Sequence, residues 1–488
     1  MFLKGLLGYL PANLLQGIVG FLTLWLFTRM LSPEDYGRYA LAFGVTSLGY
    51  TLCFCWIEAA MARFYPAEKF NNVEAPELYG TLYRLHIAVA GLFIAVCAAG
   101  IYVWPAKSPG DLATRAAISA GLLGVVFRSL LRMVQEQRRS EGRVREAAAI
   151  DILQTVGGFI LGFVFLLIGV RGGAPLLGVG VMAALTLPFV AREDWGRAAK
   201  GLWSRPKALA YARYGYPVTL SLILTLSLYT LDRFLIAYFM GPADVGAYQA
   251  GFSLASRVID VLFLWFAAAG APAMINALES GGVPALRVEA KQQILWIALL
   301  GFPALAGLIS LAPALSQWMI GPQLREKALS IIPLVSVGAL MAGLNTSYFL
   351  LSFTLAKKTH FLILAMSVPA ISNVVLNLIL IPKMGLQGAA LAYVLCFAIG
   401  IATSWLLGLR AILMPLPLID LSKIALAATA MAIGLSHMPD LGMSAELLIK
   451  PPLGLLLYGS LVFGFNISGS RGHLRTLLNK VSRRLATR

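Results

Sequence analysis

Two stretches of this sequence, SPEDYGRYALAFGVTSL at Ser32–Leu48 and GPADVGAYQAGFSLASR at Gly241–Arg257, are copies of one pattern. Aligned without a gap at a constant offset of 209 positions, they share six residues: Pro33 with Pro242, Asp35 with Asp244, Gly37 with Gly246, Tyr39 with Tyr248, Phe43 with Phe252 and Ser47 with Ser256. Each copy lies between two long apolar segments. Two similar halves are typical of membrane transporters, in which a binding site between the halves opens to either side in turn. The repeat therefore predicts a duplicated membrane fold and indicates transport.

The composition is that of an integral membrane protein. Of the 488 residues, 59% are hydrophobic and only 12% are charged, whereas a soluble domain has about 25% charged residues. The net charge of +17 would suit nucleic-acid binding, but the cations gather in loops between apolar segments, so no nucleic-acid partner is predicted. The four cysteines all lie within apolar segments and lack the spacing of a zinc site, so neither a disulfide framework nor a bound metal is expected.

About fourteen segments are long and apolar enough to cross a bilayer, which takes about 20 mostly apolar residues. They are Leu7–Leu31, Arg38–Arg63, Tyr83–Trp104, Leu112–Val134, Ala147–Val170, Ala174–Val190, Tyr214–Met240, Val245–Ile275, Gln292–Leu315, Ala328–Ala356, Phe361–Ile381, Gln387–Leu409, Leu418–Met438 and Leu447–Ile467. The repeat divides the first twelve into two sets of six. We therefore predict an all-α, polytopic membrane protein with two pseudo-symmetric six-helix lobes and two further C-terminal helices.

The loops set the domain boundaries and the orientation. The predicted parts are an N-terminal lobe (1–191), a cytoplasmic basic linker (192–213), a C-terminal lobe (214–410), two extra transmembrane helices (411–470) and a basic cytoplasmic tail (471–488). Lys and Arg concentrate in alternate loops, and the positive-inside rule then places both termini in the cytoplasm.

Three stretches carry a resemblance to a known family. They are TRMLSPEDYGRYALAF after the first segment, TLDRFLIAYFMGPADVGAYQAGF around segments seven and eight, and NLILIPKMGLQGAALAY near segment twelve. Together they resemble the polysaccharide transporter (O-antigen flippase, Wzx-type) family, whose superfamily also holds multidrug exporters and the lipid II flippase. The resemblance implies a flippase that moves an undecaprenyl-diphosphate-linked oligosaccharide across a bacterial inner membrane, with two lobes rocking around a central cavity.

Several charged residues lie within the predicted spans or at their start. A charge at the centre of a bilayer costs about 3 kcal/mol, so it usually faces a cavity or a partner. Guanidinium groups suit phosphate because they form forked, charge-assisted hydrogen bonds. The arginines predicted to contact the diphosphate are Arg233, Arg257 and Arg128. The acids predicted to position these arginines or to carry a coupling proton are Asp232, Asp260, Glu58 and Asp151.

Structural ion pairs are the alternative for each of these residues. The candidate pairs are Asp260 with Arg257, Asp232 with a neighbouring helix, and Arg128 with Asp151. The residue types alone do not decide between the two interpretations. In the first copy of the repeat, Leu48 stands at the position of Arg257, and this asymmetry favours a functional role for Arg257.

Two other functions compete with the flippase. A membrane-embedded glycan-processing enzyme needs acids, a histidine or a metal site in a sizeable loop. The longest loops are only about 20 residues and hold no such constellation, so no catalytic residue and no cofactor is predicted. A multidrug efflux transporter of the same superfamily is the stronger alternative, although a drug site would be more aromatic and acidic than this arginine-bearing set.

The C-terminal part has two further features. The tail 471–488 suits either a surface anchor to anionic membrane lipid, which we favour, or a contact with a polysaccharide polymerase or glycosyltransferases. Segments thirteen and fourteen are almost free of charge. They either line an apolar groove for the polyprenyl tail of the substrate or only stabilise the C-terminal lobe.

The loop charges predict which loops an external reagent reaches. Single cysteines introduced near Lys107 and Lys383 should react with a membrane-impermeant thiol reagent applied outside the cell, whereas cysteines near Arg139, at Lys207 and in the C-terminal tail should not. The physical reason is the retention of cationic loops in the cytoplasm. Labelling from outside at Lys207 would reverse the topology.

Overall fold

A computed structural model describes residues 2–71, 75–104, 108–358 and 360–466. Within these ranges the chain forms helices and no strand, so the predicted all-α fold is confirmed. Lys107 and the basic tail 471–488, which contribute to the predicted orientation, lie outside the described residues.

Eleven of the described helices are long and apolar enough to cross a membrane. Two of them contain a glycine with positive φ, Gly282 (64°) in Pro242–Met319 and Gly385 (58°) in His360–Gly408. On each side of these kinks there are enough residues for a separate span. A shorter apolar helix, Leu14–Met30, precedes the eleven. Each of the fourteen predicted segments therefore falls mainly on helical residues, and the chain is a multi-pass membrane protein.

The chain forms two compact units, residues 1–249 and 250–488. The helices of the first unit are α1 (Phe2–Met30), α2 (Pro33–Asn71), α3 (Pro76–Val103), α4 (Pro109–Ser140), α5 (Val144–Leu167), α6 (Ala174–Val190), α7 (Arg192–Lys200) and α8 (Arg205–Phe239). A 3₁₀ turn, Arg171–Gly173, precedes α6. Helix α9 (Pro242–Met319) begins in the first unit and continues into the second.

The second unit continues from α9 along the chain. Its further helices are α10 (Pro322–Leu344), α11 (Leu351–Leu355), α12 (His360–Gly408), α13 (Leu418–Ser436) and α14 (Met443–Gly464). A π-helical turn, Asn345–Phe349, joins α10 to α11, and its Tyr348 donates a hydrogen bond of 2.6 Å to the carbonyl oxygen of Pro415. The division into six-helix lobes with boundaries at 191, 213 and 410 stays a prediction.

The first repeat turn begins α2 with a serine cap. The Ser32 hydroxyl accepts a hydrogen bond of 3.1 Å from the backbone N–H of Asp35, while the Asp35 carboxylate pairs with Arg38 at 2.7 Å. Pro33 occupies the first helical position, where a missing N–H costs nothing. In the second copy Gly241, with φ of 101°, takes the place of Ser32.

The two repeat turns lie against each other. A Cβ placed on Gly37 would fall 1.7 Å from the carbonyl oxygen of Pro242, and a Cβ on Gly246 would fall 2.4 Å from the carbonyl oxygen of Pro33. The contact is therefore reciprocal: at each glycine the absence of a side chain lets the backbone of the other copy approach closely. Pro33 and Pro242 lie together rather than on opposite membrane faces, as a duplicated fold requires.

The predicted linker is folded and mostly helical. It forms α7, a short connection and residues 205–213 of α8, and it packs on α3, where a Cβ on Gly201 would fall 2.5 Å from the Cα of Gly80. The backbone N–H of Leu202 donates to the carbonyl oxygen of Pro76 at 3.0 Å. Lys207 adds ion pairs of 2.6 Å to Glu68 and 2.8 Å to Glu77. The linker is thus part of the first unit.

The contact between the repeat turns makes a stability prediction. Gly37→Ala and Gly246→Ala should each lower the free energy of unfolding by about 1–3 kcal/mol, because the added methyl meets backbone atoms that cannot rotate away. Thermal unfolding of the purified protein in detergent measures the effect. Gly91→Ala is the matched control, since a Cβ there meets nothing within 4 Å. Unchanged melting of both repeat variants would contradict the contact.

Candidate functional site

Asp232 and Arg233 belong to a closed network between α8 and the start of α9. Asp232 is 1% exposed and accepts hydrogen bonds from the Tyr248 hydroxyl at 2.6 Å and from the backbone N–H of Arg233 at 2.8 Å. The Arg233 guanidinium lies 3.0 Å from Asp232, donates to the Gln249 side chain at 2.5 Å and to the carbonyl oxygen of Tyr229, and stacks on the Tyr248 ring.

This α8–α9 network satisfies both charges from within the first unit. Tyr248 is the tyrosine of the repeat, so the network ties the end of α8 to the second repeat turn. A buried pair with this many partners is typical of a structural role, because removal of either partner leaves an uncompensated charge. The ion pair of Asp232 is with Arg233 of its own helix, and its hydrogen bond from Tyr248 reaches the neighbouring helix.

Glu58 and Arg128 lie together in a different arrangement, which we call the α2–α4 cluster: Tyr50, Glu58 and Arg128. The Tyr50 hydroxyl donates to both carboxylate oxygens of Glu58, at 2.7 and 2.6 Å. The Arg128 guanidinium lies over the Tyr50 ring at 5.6 Å. Both charged side chains are half-buried. Among the described residues, Arg128 has no ion pair within 4 Å and no side-chain hydrogen bond.

Asp151 pairs with other arginines than the one considered from the sequence. Its two carboxylate oxygens lie 3.1 Å from Arg132 and 3.0 Å from Arg139, and its side chain is nearly buried. The alternative pairing of Arg128 with Asp151 is therefore not formed. Two arginines already neutralise Asp151, which leaves Arg128 without an acid in contact.

Arg257 and Asp260 lie in the second unit, on α9. Arg257 is half-buried and Asp260 is exposed. In the part of the chain that the structure describes, the two make no ion pair with each other or with another residue, and no hydrogen bond of either side chain is formed. The three arginines proposed from the sequence thus differ in their environments: Arg233 is enclosed, whereas Arg128 and Arg257 keep their guanidinium groups available.

The end of α4 holds a buried ionic network that the sequence analysis treated only as a basic loop. Arg138, which is 4% exposed, lies 3.5 Å from Asp194 of α7 and 3.7 Å from Glu141. Glu141 accepts hydrogen bonds from Tyr65 and, at 3.0 Å, from Lys69. Burial opposes its ionisation, but these hydrogen bonds prevail and lower the pKa of Glu141 to about 2.

Asp194 of the same network is fully buried, and burial raises the pKa of its carboxyl group despite the nearby Arg138 and Arg197. The sequence signal for such a network is the presence of acids among the cations of a basic loop. Its effect is to fasten α7 to the ends of the spanning helices.

The second unit contains an apolar cavity of about 530 Å³ between the second half of α9 and helices α13 and α14. Its lining includes Leu300, Pro303 and Gly307 from α9, Met431 from α13 and Leu455 from α14. Lys450 also borders it, but its ammonium group is paired with Glu446 at 2.7 Å. The cavity therefore offers a mainly hydrocarbon surface.

No group of three or more His, Cys, Asp or Glu side chains in the described part of the chain is arranged to hold a metal ion. The charged residues of the spans are instead arranged as ion pairs, as tyrosine-supported carboxylates and as arginines without an acid partner.

Solved structures define the class of fold. A lipid II flippase MurJ in an inward closed conformation is similar, with a TM-score of 0.75 and 16% identity, over 94% of this chain and 98% of that chain. A multidrug resistance MATE family transporter of the MOP superfamily, inward-facing, has a TM-score of 0.66 and 18% identity, over 85% and 94% of the chains. A MOP superfamily transporter from Pyrococcus furiosus has a TM-score of 0.51 and 15% identity, over 84% and 94%. The fold is that of these transporters.

The family follows from the sequence itself. Residues 26–329 match the family described as "Polysaccharide biosynthesis protein". Because the match covers more than half of the chain, the protein belongs to that family, and the resemblance read from the repeat motifs is confirmed. None of the curated protein sequences compared with the chain matches it.

Proposed function

We propose that this protein is a flippase that moves an undecaprenyl-diphosphate-linked oligosaccharide, the repeat unit of an O-antigen or exopolysaccharide, across the bacterial inner membrane by alternating access. Membership of a polysaccharide biosynthesis family supports the class of cargo, and the transporter fold supports movement rather than synthesis. On this proposal the protein is not an enzyme, and both termini lie in the cytoplasm.

The observation that carries the proposal is the environment of Arg128. An arginine within a spanning helix normally has an acid or a hydrogen-bond acceptor in contact, because its charge is costly in hydrocarbon. Within the described residues the Arg128 guanidinium contacts the Tyr50 ring and no acid within 4 Å, and the Tyr50 hydroxyl holds the nearby Glu58. A guanidinium left in this state is suited to an anionic ligand that supplies forked acceptors, as a diphosphate does.

The other site residues take roles that fit their surroundings. Arg257, half-buried and without an acid within 4 Å among the described residues, is a proposed diphosphate contact of the second unit. Glu58 is the counter-charge that the diphosphate displaces or the acid that carries a coupling proton. Arg233 and Asp232 support the repeat turn from within their network. Asp151 forms ion pairs with Arg132 and Arg139.

Substitution of Arg128 tests the proposal. Arg128→Ala should reduce polysaccharide at the cell surface about tenfold or more, since a hydrogen-bonded contact between charged groups contributes about 1.5–3 kcal/mol. Arg128→Lys should restore part of the export, because the charge survives and the fork does not. The measurement is surface polysaccharide per unit of membrane-inserted protein. Normal export by Arg128→Ala would contradict the assignment.

Two further variants make this experiment specific. Arg287→Ala removes an exposed cation of the second unit and should leave export unchanged. Arg233→Ala should instead lower the amount of folded protein, because it leaves the buried Asp232 charge uncompensated. Efflux of cationic drugs that depends on Arg128, with export unaffected, would favour the multidrug transporter.

The cavity beside α13 and α14 is proposed to receive the polyprenyl tail of the cargo. A polyprenyl chain cannot enter a polar passage without losing its apolar surroundings, and this cavity of about 530 Å³ is lined mainly by apolar side chains. The alternative is that the two helices only stabilise the second unit, through contacts such as the hydrogen bond of 3.0 Å from Tyr458 to the carbonyl oxygen of Leu299.

Photo-crosslinking separates these two roles. A polyprenyl diphosphate with a photoreactive group in its tail should label peptides from α13, α14 and the second half of α9. Gly307→Leu and Gly454→Leu should reduce that labelling, because the larger side chain fills the cavity, while thermal stability is measured in parallel. Labels absent from α13, α14 and the second half of α9 would exclude the cavity as the tail site.

A further inference from the structure

The segment between α6 and α8 exposes large apolar side chains. Trp195 of α7 is 39% exposed, and Leu202 and Trp203, in the connection to α8, are 58% and 47% exposed. An exposed cluster of this kind is unfavourable in water and marks a surface that contacts a partner or a membrane. Tryptophan in particular is enriched where a protein meets the headgroup region of a bilayer.

The same segment exposes cations that have no acid in contact. Arg192 at the start of α7, Lys200 at its end and Arg205 at the start of α8 are all exposed. Within the described residues none of the three makes an ion pair or a side-chain hydrogen bond. Cations therefore alternate along the surface with tryptophan and leucine, which is the pattern of a helix that lies in a membrane interface.

The opposite side of the segment is fastened to the first unit. The Asp194 carboxylate lies 3.5 Å from the Arg138 guanidinium, and Arg197 donates a hydrogen bond of 3.1 Å to the Tyr79 hydroxyl. The glycine contact between Gly80 and Gly201 leaves no space for a side chain. These contacts determine which side of the segment is buried, so the tryptophans and free cations stay on the outer side.

The position of the segment in the chain determines what it meets. It connects two apolar helices that are each long enough to cross a membrane, Arg171–Val190 and Arg205–Phe239. It therefore lies at one membrane surface. We propose that residues 192–205, the interfacial segment, bind the surface of an anionic phospholipid bilayer, with Trp195 and Trp203 at headgroup depth and Arg192, Lys200 and Arg205 on the lipid phosphates. This binding is independent of the cargo and of the proposed flippase activity.

Anionic lipid is favoured over a protein partner by charge and by attachment. The free cations are spread along the segment rather than gathered in one pocket, which suits a diffuse layer of phosphate groups. The segment is rigidly joined to the spanning helices, so it is held at the surface before any partner arrives. An acidic protein partner would instead leave the tryptophans in water until it bound.

Tryptophan quenching by brominated lipid tests the proposal on the full-length protein. The protein is reconstituted in phosphatidylcholine bilayers that contain phosphatidylglycerol, with bromine near the headgroup end of the acyl chains of one lipid or the other, at equal mole fractions of bromine. The emission of the interfacial segment is the difference between the wild type and the variant Trp195→Phe/Trp203→Phe. This difference separates the two residues from the remaining tryptophans.

Brominated phosphatidylglycerol should quench the tryptophan emission of the interfacial segment about twofold more strongly than brominated phosphatidylcholine does. Arg192→Gln/Lys200→Gln should remove this preference and keep the quenching itself, because the tryptophans remain. Arg287→Gln/Lys291→Gln removes the same charge from exposed cations of the second unit and should keep the preference.

Three results would overturn the proposal. If neither brominated lipid quenches the emission, the tryptophans lie in water or against protein. Equal quenching by both lipids in the wild type would show insertion without selectivity for anionic lipid. Equal loss of the preference in both double variants would assign it to overall charge rather than to the interfacial segment. Gel filtration of each variant before reconstitution verifies that it is folded.

Discussion

The structure depends on one constraint: an ionised side chain inside a membrane span must have its charge compensated, because hydrocarbon offers no water. The first unit meets it with acids and arginines in contact, within one helix or between two. Asp232 and Arg233 of α8 pair with each other and bond to Tyr248 and Gln249 of α9, and Asp151 of α5 holds two arginines of α4. Arg128 departs from this rule within the described residues, since its guanidinium contacts an aromatic ring instead of an acid. The proposal of an anionic cargo rests on this departure from the rule.

A second constraint acts on the backbone. The repeat turns approach so closely that Gly37 and Gly246 cannot carry a side chain, and the α8–α9 network lies directly beside this contact because Tyr248 belongs to the second turn. Electrostatics and packing therefore act on the same place. Substitutions in the network and in the turns should affect each other, as expected for groups in contact.

Each unit has a feature that suits one part of a lipid-linked sugar. The α2–α4 cluster of the first unit offers a cation to a diphosphate, and the second unit offers an apolar cavity to a hydrocarbon chain. Membership of a polysaccharide biosynthesis family gives both features a common explanation. The interfacial segment adds a contact with the membrane surface that needs no cargo.

The sequence by itself determined the helices and the turns between them. Apolar stretches of spanning length predict the helices, and the repeated Pro-x-Asp-x-Gly pattern predicts two equivalent turns, because both signals are local in the chain. Which charges pair was decided only by the tertiary structure. Asp151 pairs with Arg132 and Arg139 rather than with Arg128, and Arg233 donates to Gln249, sixteen positions away. Side chains from separate helices meet at distances that composition and spacing do not encode. The sequence therefore identified the candidate charged residues, and packing determined which of them are enclosed in ion pairs and which are not.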